Sequence, residues 1–72
     1  MNAVNADSKI FSERFVKAFE ASGMTVRKFT KLVGCRKTTY YNWRSGNTIP
    51  TGNYLIAISK ALNISCEYLL GG

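Results

Sequence analysis

Residues 25–46 read TVRKFTKLVGCRKTTYYNWRSG, two short helical patterns separated by a single glycine. Thr25 stands where an N-cap hydroxyl would take up a free backbone N–H of the first turn. Phe29, Leu32 and Val33 follow as an apolar face, with Arg27, Lys28 and Lys31 outside it. Gly34 ends this helix, because the tight turn after it needs a positive φ, which only glycine adopts cheaply. A second helix then runs from about Lys37 to Ser45 and stops at Gly46. Its Tyr40 and Trp43, at i and i+3, point inward. Lys37, Thr38, Tyr41 and Asn42 point outward, with Arg36 at the N-terminal shoulder. Two helices joined by so short a turn cross at a wide angle and present the second one outward.

Helical patterns continue on both sides of this stretch. Upstream, Phe11, Phe15, Ala18 and Phe19 fall at i, i+4, i+7 and i+8, one apolar stripe of a first helix. Asp7 or Ser8 is the expected cap of that helix, and Ser22-Gly23 its stop. Met1 to Ala6 are small or polar and read as a mobile arm. Downstream, Asn47 to Pro50 is a loop, since Pro50 holds Ile49 out of helical geometry. Thr51 is placed to cap a fourth helix carrying Leu55, Ile58 and Leu62, with Asn63 as a left-handed stop. Ser65 caps a last short helix from Cys66 to about Leu70, closed by Gly71-Gly72. No alternation of strand type survives outside these patterns. The expectation is an all-α chain of five short helices: a flexible arm at 1–7 and one domain at 8–72, with a helix-turn-helix at about 25–45.

Size and charge narrow what such a domain does. A chain of 72 residues builds one small core, better suited to a binding surface than to a deep catalytic cleft. Ten Lys and Arg against four Asp and Glu give a net charge of +6, which favours a polyanionic partner, either nucleic acid or an anionic membrane surface. Cys35 and Cys66 show no CxxC or Cys/His spacing and there is no histidine, which argues against zinc. They read as small buried thiols in a reducing cytosol. The chain has no run long and apolar enough to span a membrane and no basic-then-apolar signal pattern, so a cytoplasmic setting is expected. With no histidine, no paired carboxylates, no glycine-rich phosphate loop and no base beside either thiol, the residues point away from catalysis and from any cofactor or small-molecule substrate.

The outward set on the second of the two helices has chemistry for DNA. Lys and Arg donate to guanine O6 and N7, and Asn pairs bidentately with adenine N6 and N7. Thr38 and Thr39 can donate to phosphate or meet a thymine methyl. No acidic residue lies between Glu20 and Glu67. A solvated basic helix shows the same pattern, so residue chemistry alone leaves both readings open.

The run from Gly23, GMTVRKFTKLVGCRKTTYYNWRSG, resembles without a gap the helix-turn-helix of the lambda-repressor-like family, the Cro/repressor or XRE type. The continuation IPTGNYLIAISKALNISCEYLLGG looks like the same family, and PTGNYLIAISKALNISCEYLL is especially similar to repressors of lambdoid phages. The match covers about residues 10–72. By that resemblance the turn glycine is Gly34 and the buried residue after it Cys35. Base-reading positions fall on Lys37, Thr38 and Asn42, with Arg36 and Tyr41 beside them at base or phosphate. The family's phosphate contacts, at the start of its second helix and in the loop after the recognition helix, fall on Thr25, Val26, Arg27, Ser45, Asn47 and Thr48, joined by Thr39. This chain departs from the pattern in five places. Val26 replaces a usual Gln, leaving only backbone for that contact, and Thr30 replaces a small Ala under the turn. Tyr40 stands for an aliphatic residue, Arg44 for one that is often acidic, and Arg36 for a Ser or Thr cap.

What the resemblance implies is a sequence-specific regulator of transcription binding double-stranded DNA. It would be a phage-type repressor or the N-terminal domain of one, binding a palindromic operator as a homodimer with half-sites about one helical turn apart. Tyr68, Leu69 and Leu70 are candidates for a dimer contact or for core closure. A second reading is a protein-interaction module on the same fold, antitoxin-like or an anti-repressor partner, whose mark would be an apolar outward face. Membrane binding needs a basic helix with a spare apolar face, and no segment offers one without giving up its core stripe.

Overall fold

The computed structural model describes residues 3–71, with side chains from residue 8 onward. Five helices follow one another: α1 (Ala3–Ser22), α2 (Val26–Val33), α3 (Lys37–Ser45), α4 (Gly52–Leu62) and α5 (Cys66–Leu69). There is no strand among the described residues, so the all-α architecture expected from periodicity is the one observed. α1 begins upstream of the expected start, and neither Asp7 nor Ser8 caps it. Nothing in residues 3–7 breaks a helix, since there is no Gly or Pro among them. Of the arm expected at 1–7, residues 1 and 2 lie outside the described residues, and the backbone of 3–7 is the first part of α1.

The other boundaries follow from local chemistry. Thr25 and Ser65, both with extended backbone, accept N–H bonds from Lys28 and Tyr68 at 3.1 and 3.0 Å and so start α2 and α5. Asn63 ends α4 in the left-handed region at φ 56°, and its N–H bonds back to the Ser59 carbonyl.

The core is a stack of aromatic rings centred on Phe15. Its ring lies 5.4 Å from Phe11, 5.5 Å from Phe29, 5.7 Å from Tyr40 and 6.3 Å from Trp43, mostly tilted or edge-on. α1 thereby anchors both helices of the central pair, and Ile58, Leu62 and Leu69 close the core from α4 and α5. Each large ring removed from this stack would cost about 3–5 kcal/mol. Leu69 is fully buried, which excludes it from a dimer contact, whereas Leu70 is exposed.

One expected core residue is misplaced. Leu32 is 58% exposed, and the buried stripe of α2 runs instead through Phe29, Thr30 and Val33, with Val26 packed partly against it. A helix of two turns has room for one narrow stripe. The Phe29–Val33 pair at i, i+4 occupies it and leaves Leu32 to one side. Thr30 is tolerated inside because its hydroxyl donates to the Arg27 carbonyl at 3.1 Å.

The C-terminal end of α3 is fixed directly on α1. The Ser12 hydroxyl donates to the Arg44 carbonyl. A Cβ at Gly46 would lie 3.6 Å from both the Ser12 Cβ and the Ser8 carbonyl oxygen, so small residues on α1 let the helix end come close. That contact sets how far α3 projects, and therefore what it can reach.

Candidate nucleic-acid interface

The turn between α2 and α3 is built on Gly34, at φ 80° and ψ 34°. Its N–H and that of Cys35 both donate to the Thr30 carbonyl, at 2.8 and 3.1 Å, which closes α2 and releases the chain into extended geometry at Arg36. Cys35 is half-buried behind the turn, and desolvation pushes its thiol above the ordinary range against a smaller opposing pull from its backbone hydrogen bond. Arg36 starts α3 with no side-chain cap bond, since a guanidinium has no acceptor to offer, and the residue is exposed.

α3 presents the faces expected of it. Tyr40 and Trp43 are buried, at 1% and 2% exposure. Arg36, Lys37, Thr38 and Tyr41 are exposed, and Asn42 and Thr39 are half-buried at the edges of that face. Tyr41 is held by an edge contact with Tyr40, ring centroids 4.9 Å apart, which fixes an exposed aromatic without burying it.

The residues expected at phosphate differ in what they have free. Thr25 uses its oxygen to cap α2 and keeps its hydroxyl proton. Val26 packs toward the core, and as the first residue of α2 its N–H has no partner within the helix. Arg27 is exposed and points away from the core. The Ser45 hydroxyl already donates to the Asn42 carbonyl at 3.2 Å. Asn47 and Thr48 are exposed, and their N–H groups bond that same carbonyl at 3.0 and 3.4 Å.

The charge around these residues has one sign. No acidic residue occupies the first turn of α2 or α3, so the positive ends of both helices are uncompensated there. Arg27, Lys28, Lys31, Arg36 and Lys37 are all exposed. Arg44, by contrast, is turned back to Glu20 of α1 at 3.5 Å. Sequence reasoning missed this inward use of Arg44, and it also missed the bonds that gather Ser45, Asn47 and Thr48 around Asn42. The only local hint of the second is that a left-handed cap at Gly46 precedes Asn47.

A domain with this turn, this buried pair on α3 and this cationic edge has the construction of a helix-turn-helix DNA reader. A helix-turn-helix family model matches residues 17–69, from the last third of α1 to the end of α5. The chain belongs to this XRE-type helix-turn-helix family, whose domains are regulatory and generally not enzymes, and its class is that of DNA-binding transcription regulators acting on double-stranded DNA. No curated protein and no solved structure shows significant similarity to it.

Among the described residues, no group of His, Cys, Asp and Glu could hold a metal ion, and both cysteines are free and half-buried. No helix of the described residues is long and apolar enough to cross a membrane.

Proposed function

We propose that this domain is a sequence-specific, phage-type repressor or its DNA-binding part, acting in the cytoplasm as a homodimer on a palindromic operator. The carrying observation is the exposed set Arg36, Lys37, Thr38 and Tyr41 on α3, edged by Asn42, on a helix anchored from behind by Tyr40 and Trp43. α3 lies in the major groove. Lys37 donates to guanine O6 and N7, Asn42 pairs with adenine, and Thr38 meets a thymine methyl or a phosphate. Arg36 and Tyr41 contact base or phosphate beside them. Thr25, the Val26 N–H, Arg27, Thr39, Ser45 and Thr48 hold the backbone and set the register.

The test is selection of bound duplexes from a random pool at fixed, physiological salt. The expected result is a two-fold consensus with half-site centres about 10–10.5 bp apart or a multiple of that. Absence of any enriched sequence would overturn this reading and favour a protein-interaction module on the same fold.

A further inference from the structure

We propose that Asn47, in the loop after α3, is a positioning residue that orients the side-chain amide of Asn42 and so selects adenine at the base pair Asn42 faces. This rests on the base-reading role given to Asn42 above.

The geometry is a double tie between two residues. The Asn47 N–H donates to the Asn42 carbonyl at 3.0 Å, and the Asn47 side chain returns to the same residue, Nδ2 donating to Asn42 Oδ1 at 3.4 Å. The loop has little freedom to let go. The Asn42 carbonyl also receives the Gly46 and Thr48 N–H groups and the Ser45 hydroxyl, so residues 45–48 wrap around the last turn of α3. The side-chain bond is long and weak taken singly, but the backbone bonds keep its donor in place at little further entropic cost.

An asparagine amide reads a base only if its two ends face the right way. Adenine presents an acceptor at N7 and a donor at N6, so Asn must offer nitrogen to the first and oxygen to the second. Unrestrained, the amide turns over easily, because the torsion next to it is broad and roughly two-fold. A donor from Asn47 marks one end of Asn42 as oxygen and takes one of its two lone pairs. One lone pair and both Nδ2 protons remain, an acceptor beside donors, which suits adenine and not the two acceptors of guanine. Asn47 is therefore used in orienting Asn42, in place of the phosphate contact expected from its position in the loop.

The experiment measures affinities of wild type, N42A, N47A and N42A/N47A for the best duplex recovered from the random pool. Versions of that duplex altered at each single base pair, and a scrambled duplex at the same salt, complete the set. N42A should lower discrimination at one base pair by about tenfold or more. N47A should lower it at that same base pair by about three- to fivefold, leave the scrambled duplex unchanged, and have no further effect in the N42A background. N47D, whose carboxylate only accepts, should turn the amide over and erase the adenine preference at that pair. If N47A weakened cognate and scrambled duplexes equally, or its effect multiplied with that of N42A, the positioning role would be overturned while base reading by Asn42 stood. If N42A left discrimination unchanged at every position, the reading beneath the proposal would fall, and the proposal with it.

Discussion

The hydroxyl of Tyr40 accepts a hydrogen bond from Arg44 Nη1 at 3.0 Å, one turn further along α3. The two residues are both departures from the family's usual pattern, and the structure makes them partners. A tyrosine in place of an aliphatic residue brings a hydroxyl that needs a partner near the core boundary. An arginine four residues on supplies it and reaches Glu20 of α1 at 3.5 Å with its other nitrogen. The bond to Tyr40, and secondarily Glu20, shifts the guanidinium upward from its ordinary value, further in favour of the charged form. We expect Tyr40→Phe and Arg44→Met each to cost about 0.5–1.5 kcal/mol in urea unfolding. The double variant should cost clearly less than the sum. Strict additivity would show that the pair is not coupled. Glu20→Gln should cost little, because that pair is exposed.

Trp43 should be indispensable to folding. It is 2% exposed and packed between Phe15 and Tyr54, at 6.3 and 5.4 Å between ring centroids. Trp43→Ala should cost about 3–5 kcal/mol, a large part of the roughly 5–10 kcal/mol that holds a domain of this size. Circular dichroism should show a melting transition shifted strongly downward from that of the wild type. A fully folded variant with an unchanged melting curve would contradict the packing described here.

How much of this was legible beforehand depends on the range of the contact. Gly34, Gly46 and Asn63 are readable stops because a left-handed residue at a helix end is a local event. Tyr40 and Trp43 are readable as inward because their spacing leaves no other common face. Leu32 is not, since it fits an apolar stripe on paper and the burial of Phe29, Thr30 and Val33 instead turns the core-facing side of α2 away from it. The start of α1 is likewise obscure, because polar residues without a breaker carry no boundary. For the candidate site, the outward residues of α3 followed from periodicity. The bonds of Arg44 to Tyr40 and Glu20, and of Asn47 to Asn42, depend on how helices and loop pack, which residue spacing does not encode.

Cationic residues on the two helices should separate by role in their salt dependence. Arg27, exposed on the first turn of α2, should act on phosphate: Arg27→Ala weakens all duplexes alike and flattens the log–log salt slope by about one. Lys37→Ala should instead cost about 1–3 kcal/mol on the preferred duplex and relax one base position. Titrations at several salt concentrations with matched and scrambled duplexes distinguish the two. Equal losses on both duplexes for Lys37→Ala would remove it from the base readers.

Cys35 gives a dependence on pH whose sign is fixed by its burial. Desolvation raises its thiol in the folded chain above its unfolded value. Between those values the folded state keeps a proton that the unfolded state has lost, so this contribution is whole below the ordinary thiol pKa of about 8.5 and disappears as pH rises through the folded value. Wild type should therefore lose more stability than Cys35→Ala between about pH 7 and about pH 10. Native Cys35 should also alkylate more slowly than the same residue in urea. Equal losses of stability would show that the thiol titrates as it does in the open chain.

Gly34 tests whether the turn is held by backbone conformation alone. At φ 80° a residue with a side chain is strained, yet a Cβ built there meets nothing within 4 Å. The cost of Gly34→Ala should then be the left-handed penalty itself, about 1–2 kcal/mol, with no added clash. Gly34→Asn should recover part of that loss, because Asn visits this region more readily than Ala. Urea unfolding ranks the three proteins. DNA affinity of the folded fraction should stay near wild type, since neither substitution touches α3. An alanine variant as stable as wild type would mean that the turn can relax out of the left-handed region. A stable but DNA-silent one would mean that the turn's geometry, and not only its presence, sets the reach of Lys37 and Asn42.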